Sequence, residues 1–217
     1  MPAHAIGSNL RTLALFITIL GWAVCGLSLI AAMAQSVWLL AYTQYAETPA
    51  LMAAASIAGA INNLVYLISV IPVLAWVFTA HQNLRRAGVM GLRHSPGWAT
   101  FSFFVPIANL FVPFAAMREL ANRSAGEPEE LAEATVDAVT SWWGCWLGSA
   151  VFAMVLGFVA LVELVPGLFV TTPFWAHQVL LILQLVLTAG AAFFLIKLVK
   201  RVTQDQLDGA SMLSTFE

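Results

Sequence analysis

The chain has 217 residues, of which 61% are hydrophobic and only 9% are charged, and its formal net charge is −2. Soluble domains carry about 25% charged residues, so this composition excludes an ordinary soluble fold and indicates long apolar spans in a lipid bilayer. The negative net charge gives no electrostatic basis for nucleic-acid binding, and the size fits a single membrane domain over 1–217.

Four long apolar runs predict four transmembrane helices. They lie at about 12–40, 51–80, 141–162 and 177–196. Each run is long enough to cross a hydrocarbon layer of about 30 Å at about 1.5 Å per residue. The first run is too long for the apolar core of a signal peptide, and we interpret it as a retained membrane span.

Small residues mark the faces on which these helices are expected to pack. Ala55 and Gly59 are four residues apart in the second run, and Gly144 and Gly148 are four residues apart in the third. This spacing places two small side chains on one helix face, which allows a neighbouring helix to approach closely.

Three amide side chains are expected inside the membrane. Asn62 and Asn63 lie near the middle of the second run, and Gln184 lies at a comparable depth in the fourth. We interpret them as hydrogen-bonding groups between two helices, and the alternative is a polar lining for a small solute. No ionisable residue occupies the middle third of a run, which argues against a proton-coupled transporter.

The segment over 98–117 is long enough to cross the membrane, but charge and proline content argue against crossing. If it crosses, the nine Lys and Arg residues are divided between the two sides, whereas all nine share one side if it turns back. The positive-inside rule favours the second arrangement. Pro106 and Pro113 support it because each removes a helical hydrogen bond, and Asn109 between them is expected to cap or bridge the freed backbone groups.

These patterns predict an all-α, polytopic helical bundle with four transmembrane helices and a re-entrant or interfacial segment over 98–117. A bundle of five transmembrane helices is the alternative. Both termini and all the cations are expected on the cytoplasmic side. Glu129, Glu130, Glu133 and Asp137 recur at helical spacing and predict an acidic surface helix over 128–139, and a polar, mobile tail is expected over 202–217.

A basic connection follows the second run and is the candidate binding surface. Arg85, Arg86 and Arg93 lie close to Trp98, and the Ser-Pro-Gly turn before the tryptophan is expected to form a cleft beside them. Arginine clusters at a membrane surface bind anionic lipid headgroups or acidic partners. The alternative is that these arginines only set the orientation of the helices.

The middle of the chain resembles a family of bacterial multi-pass membrane proteins known as domain of unknown function 4328. The matching residues are Trp76, NLRRAG at Asn83–Gly88, GLRHSPGW at Gly91–Trp98, FVPIANL at Phe104–Leu110, Pro113, MREL at Met117–Leu120 and the pair Trp142–Trp143. The resemblance implies a bacterial inner-membrane protein without assigned chemistry, and it supplies no catalytic residues.

The sequence contains no nucleophile elbow, HExxH motif, P-loop or paired intramembrane carboxylates, so we expect no enzyme activity. Its histidines and its two cysteines have no metal-ligand spacing, and we expect neither a metal site nor a cofactor. The favoured function is an accessory, assembly or scaffolding subunit that binds anionic lipid and other membrane proteins or a second copy. The alternative is a small-solute transporter or channel that uses the segment over 98–117 as its gate.

Overall fold

The computed structural model describes residues 3–44, 49–166 and 173–215, and no strand occurs within those ranges. In chain order the helices are α1 (Ala3–Gln44), α2 (Pro49–Arg86), α3 (Pro96–Phe101), α4 (Val112–Ser124), α5 (Asp137–Glu163) and α6 (Phe174–Thr215). α1, α2, α5 and α6 are long and apolar enough to cross a membrane. This confirms the predicted all-α polytopic bundle.

The four long helices lie in the order α2, α1, α6, α5, and each packs along its neighbours in that row. α1 and α6 are antiparallel, because Trp22 stacks edge-on against Phe193 and Trp38 against Phe174, with ring centroids 6.1 and 5.0 Å apart. α2 and α5 are therefore the two outer helices of the row.

One end of the bundle collects the cationic side chains. The indole Nε1 of Trp76 in α2 donates to Thr203 Oγ1 in α6 at 3.1 Å, so the C-terminal parts of these two helices lie together. The first turns of α1 and α5 reach the same level, because both helices run antiparallel to α6. We call this the basic end, and it carries all nine Lys and Arg residues: Arg11, Arg85, Arg86, Arg93, Arg118, Arg123, Lys197, Lys200 and Arg201.

Residues 95–124 form a helical hairpin that begins and ends at the basic end. It consists of α3, two short 3₁₀ turns at Ser102–Phe104 and Ala108–Leu110, and α4. The backbone N–H of His94, just before the hairpin, bonds to Glu119 in α4, and Ser124 at its close accepts a hydrogen bond from Gln206 in α6. The segment over 98–117 is thus not one crossing helix, and the described residues do not form the alternative with five spans.

The prolines help to explain the turn of the hairpin. Val105, which precedes Pro106, has φ −96° and ψ 112°, the extended conformation that a following proline favours. Pro113 lies in the first turn of α4, where its missing N–H breaks no helical hydrogen bond. One proline therefore separates the two arms of the hairpin, and the other begins the second arm.

The predicted acidic helix over 128–139 is wrong. The chain forms only a 3₁₀ turn at Glu129–Leu131, and α5 does not begin until Asp137. The carboxamide Nδ2 of Asn122 donates to the carbonyls of Ala132 and Ala134 at 3.2 and 3.0 Å. Those carbonyls are among the acceptors that a helix through this segment would need, so the tertiary bonds to α4 replace the local helix.

The separate polar tail predicted over 202–217 is also wrong for residues 202–215, which continue α6. Val202 is 0% exposed and Thr203 is buried against the rest of the bundle. Gln206 Nε2 donates to the carbonyl of Ala80 at 3.1 Å and to Ser124 Oγ at 3.0 Å. These contacts hold the polar extension of α6 between α2 and α4, while residues 216–217 lie outside the described ranges.

Candidate functional site

A buried carboxylate in α4 holds the loop between α2 and the hairpin by hydrogen bonds. Glu119 is 2% exposed. Its carboxylate accepts hydrogen bonds from the backbone N–H groups of Arg93 at 2.5 Å and His94 at 3.1 Å, and from His94 Nδ1 at 2.5 Å. One acid therefore holds both the backbone and a side chain of the loop over 87–95.

Hydrogen bonding keeps the pKa of Glu119 below its ordinary value. Burial by itself raises the pKa of a carboxyl group, because it disfavours the charged form. In Glu119 the hydrogen bonds from the His94 side chain and from the backbone of Arg93 and His94, with the attraction of His94, outweigh burial and lower the pKa. The group is therefore a carboxylate at neutral pH, which matches its role as an acceptor.

The next turn of α4 holds the loops on both sides of the hairpin. Arg123 donates to the carbonyl of Met90 on one side and to that of Glu127 on the other, each at 2.6 Å. Arg93 pairs with Glu133 and so joins the loop before the hairpin to the loop after it. The polar residues of α4 thus tie both loops into one cap over the basic end.

Glycines complete the geometry of the first loop. Gly88 has φ +74°, and around it Gly88 N donates to Arg85 O while Val89 N donates to Leu84 O, which is the Schellman arrangement that ends α2. Gly91 has φ +75°, and a Cβ added there would collide with the Glu129 carboxylate. Gly88 of the NLRRAG motif and Gly91 of the GLRHSPGW motif are therefore required by backbone conformation.

The arginines predicted to form one binding surface differ in their partners. Arg85 and Arg86 are exposed in the last turn of α2 and make no ion pair within the described residues. Arg93 is exposed as well but is paired with Glu133. Trp98, at 43% exposure, belongs to α3. Two unpaired cations therefore stand at the end of α2, beside the loop that enters the hairpin.

The outer face of the hairpin is apolar and exposed. Its bulky side chains are each at least 43% exposed: Trp98, Phe101, Phe104, Ile107, Leu110 and Phe111. The inner face packs into the core through Ala99, Ala116 and Met117, which are at most 1% exposed. In water such an exposed apolar surface would promote association between protein molecules, whereas in a bilayer it is compatible with lipid contact.

An aromatic stack joins the hairpin to α5. Phe114 stacks on Trp143 at 6.1 Å, Trp143 stacks on Trp146 at 4.8 Å, and the Arg118 guanidinium lies 4.6 Å from the Phe114 ring centre. Trp142 and Trp143 are buried, so this tryptophan pair contributes to the core.

The amides predicted to meet inside the membrane do not meet. Asn62 accepts a hydrogen bond from Ser28 in α1 at 2.9 Å, whereas Gln184 contacts Thr188 in its own helix at 3.4 Å. Asn63 is exposed and makes no hydrogen bond within the described residues. The prediction of a contact between Asn62 and Gln184 failed because α1, not α6, lies beside Asn62.

Asn109 does not bridge the hairpin turn as expected. Its Oδ1 atom is buried without a hydrogen bond.

Only some of the small residues predicted as packing positions lie at helix contacts. Ala55 is 0% exposed, and a Cβ added at Gly148 would touch Leu187 in α6 at 3.0 Å. A Cβ added at Gly59 or Gly144 would meet nothing within 4 Å. The sequence analysis missed Gly190, where an added Cβ would lie 3.0 Å from Cys145 Sγ in α5. The α5–α6 contact therefore uses one glycine from each helix.

His81 is a further buried polar group of the basic end. It is 0% exposed, and its Nδ1 lies 2.9 Å from the Val77 carbonyl of its own helix. Its Nε2 makes no hydrogen bond of normal geometry, although the backbone of Ala116 lies beside the ring. Among the residues that the structure describes, no three His, Cys, Asp or Glu side chains gather as metal ligands.

A cavity of about 100 Å³ lies between α2 and α5, with α1 and α6 behind it. Phe103 of the hairpin lines it, together with Val73 of α2. Val73 is 13 residues before Arg86, which places this contact about 20 Å along α2 from the basic end at about 1.5 Å per residue. The first arm of the hairpin therefore reaches well into the bundle. The Ser149 and Thr188 hydroxyls that line the cavity bond to each other at 2.7 Å.

Four apolar helices are long enough to span a membrane, and a cluster of hydrogen-bonded polar residues covers the basic end. Together these features define an all-α multi-pass membrane protein. The chain belongs to the family described as domain of unknown function (DUF4328), which matches residues 49–204. The match covers α2 to most of α6, including all the motifs on which the predicted resemblance rested. Comparisons with curated proteins and with solved structures found no match.

Glu119 and Asn122 are the residues of this site that sequence reasoning missed. A signal existed for the first, because Glu119 is the first acid in the basic stretch that begins at Trp76. For Asn122 no local signal existed, because its acceptors lie 10 and 12 residues away in a loop.

Proposed function

We propose that this protein is a non-catalytic accessory, assembly or scaffolding subunit that binds anionic phospholipid at its basic end and packs against other membrane proteins. We place it in a bacterial inner membrane with both termini in the cytoplasm, since cytoplasmic segments carry the excess of Lys and Arg. One observation supports the lipid-binding role above the others. Arg85 and Arg86 are exposed at the end of α2, directly before the loop that leads into a hairpin whose outer face is apolar and exposed.

The chemistry of these two groups fits a phospholipid. A guanidinium donates parallel hydrogen bonds to phosphate oxygens, and neither Arg85 nor Arg86 is occupied by an acid within the described residues. The aromatic face of the hairpin would contact the acyl chains of the same leaflet. Each basic residue near an anionic membrane surface contributes about 1 kcal/mol of binding free energy.

The other polar groups of the basic end favour a structural role over a catalytic one. The hydrogen bonds of Glu119, His94 and Asn122 hold the neighbouring loops to α4. The transporter alternative gains little from the cavity between α2 and α5. Its lining is mainly apolar and the Ser149 and Thr188 hydroxyls satisfy each other, so the geometry favours binding over the passage of a polar solute.

The test is the amount of anionic phospholipid that stays bound after purification in a mild detergent, measured by native mass spectrometry. Reversing both charges with Arg85→Glu and Arg86→Glu should weaken lipid retention about 30-fold or more, because two arginines at about 1 kcal/mol each contribute about 2 kcal/mol. The matched control reverses Lys200 and Arg201, two exposed cations of the same end on α6. Equal retention in the wild type and the Arg85/Arg86 variant, or equal losses in both double variants, would contradict a lipid site at Arg85 and Arg86.

A further inference from the structure

Asn63 presents an unsatisfied amide on the outside of α2. Its neighbour Asn62 is 1% exposed and bonded to Ser28, whereas the Asn63 side chain is exposed and makes no hydrogen bond within the described residues. The candidate membrane span of α2 begins at Met52, 11 residues earlier. At about 1.5 Å per residue the 35-residue span is about 52 Å long, and Asn63 lies about 17 Å along it, inside a hydrocarbon layer of about 30 Å centred on the span.

An amide at that depth needs a hydrogen-bonding partner. Water is absent from the hydrocarbon layer, and an unpaired polar group there costs several kcal/mol. Lipid chains offer neither donors nor acceptors. The partner must therefore be a polar group of another protein segment that packs against this face of α2.

The surrounding surface fits an approaching helix. Ser56, Ala60, Asn63 and Leu67 follow one another at spacings of four, three and four residues, and all four are exposed. This spacing makes a continuous strip along one side of a helix, as in helices that pair at a small crossing angle. Ser56 and Ala60 are small, so a second helix backbone is able to come close enough for the Asn63 amide to reach it.

The position of α2 leaves this strip free of the protein's own helices. α2 is an outer helix of the row and packs on α1, and the hairpin contacts it nearer the basic end. A carboxamide carries both a donor and an acceptor, so two identical amides related by a two-fold axis satisfy each other. A second copy is therefore the one partner whose complementary group is already known.

We propose that two copies of this protein associate through the strip on α2, with their Asn63 carboxamides hydrogen-bonded to each other across a two-fold axis perpendicular to the membrane plane. The inference builds on the proposed partner-binding role and names that partner. It does not depend on lipid binding at Arg85 and Arg86, which lie at the far end of α2.

The experiment measures dimerisation of the full chain in liposomes by single-molecule photobleaching over a range of protein-to-lipid ratios. Asn63→Leu removes the amide but keeps an apolar side chain of similar size. It should raise the dimer dissociation constant about 10-fold, which corresponds to about 1.4 kcal/mol. Asn63→Gln keeps a carboxamide and should recover part of the lost association.

A matched pair of alanine substitutions tests the geometry separately. Ala60→Leu adds bulk within the strip and should weaken the dimer. Ala54→Leu makes the same change at another exposed position of α2, about 120° around the helix, and should leave dimerisation unchanged. A wild-type protein that stays monomeric at every ratio, or an Asn63→Leu variant that dimerises as tightly as the wild type, would overturn the proposal. Retention of anionic lipid by Asn63→Leu keeps this result separate from the test of the basic end.

Discussion

Glu119 shows how one buried acid organises the basic end. The carboxylate lies in a stretch rich in arginine, yet it forms no ion pair with an arginine side chain within the described residues. Its partners are the backbone of Arg93 and His94 and the ring of His94. Because a buried acceptor with several donors stabilises only the charged form, the loop and the charge of Glu119 depend on each other.

Replacing Glu119 by Gln should lower the free energy of unfolding by about 2 kcal/mol, the range expected for hydrogen bonds to a charged group. The folded-state pKa of Glu119 is lowered, so its contribution is present above its ordinary pKa of 4.5 and is lost as the pH falls through the folded value. The difference in melting temperature between the wild type and Glu119→Gln should therefore be largest near pH 7 and shrink below about pH 4.5.

Glu127→Gln is the matched control, because Glu127 is exposed in the loop after the hairpin. Its melting temperature should follow that of the wild type. A Glu119→Gln variant as stable as the wild type at pH 7, or a difference that grows on acidification, would contradict this role for the carboxylate.

At the scale of elements, the hairpin is the unusual feature of the bundle. α4 has 13 residues and spans about 20 Å, too short to cross a hydrocarbon layer of about 30 Å. α3 and the 3₁₀ turns leave irregular backbone near Pro106, which is tolerated at membrane depth only where protein covers it. Ala99, Ala116 and Met117 give that cover to the two arms. The exposed turn instead bonds to itself, with the Asn109 N–H donating to the Val105 carbonyl at 2.7 Å. The apolar outer face is available to lipid.

A spin label on Ile107→Cys should report a hairpin tip inside the membrane. Ile107 is 76% exposed at the turn of the hairpin, so its label should be several-fold more accessible to oxygen than to a water-soluble nickel chelate. Met90→Cys is the control, since Met90 is 80% exposed in the loop between α2 and the hairpin, and its label should favour the nickel chelate. Native Cys25 and Cys145 are replaced beforehand. Greater accessibility of the label at 107 to the nickel chelate would place the tip in water.

At the scale of the whole molecule, the distribution of cations predicts the orientation in the membrane. All nine Lys and Arg residues lie at one end, although most of the acids of the described chain lie there too. Orientation follows the Lys and Arg bias and depends little on net charge, so the acids do not cancel it. The basic end should therefore face the cytoplasm.

Cysteine labelling on vesicles of known orientation tests this topology. A probe at Ala125→Cys, in the exposed loop after the hairpin, should react only from the cytoplasmic side. A probe at Leu164→Cys, 76% exposed at the far end of α5, should react only from the opposite side. Labelling of Ala125→Cys and of the Met90→Cys probe from opposite sides would contradict an arrangement in which the hairpin returns to the side from which it entered.

Hydropathy was enough to predict the four long helices, and charge was enough to favour a segment over 98–117 that does not cross as one helix. Both signals add up along the chain, residue by residue, because they reflect the preference of each side chain for lipid or water. The acidic helix and the polar tail were predicted from local spacing and polarity. Tertiary bonds from Asn122 and Gln206 overrode both expectations.

The sequence by itself thus determined the class of protein, the number of long helices, the single basic end and the family motifs. Only the tertiary structure decided that Asn62 pairs with Ser28, that Glu119 holds the loop over 87–95, and that Asn63 has no partner within the described residues. The physical reason is the separation along the chain over which each effect acts. Partition between lipid and water is a property of each residue, whereas a hydrogen bond such as that between Trp76 and Thr203 joins groups 127 positions apart. Helix packing alone brings such groups within reach.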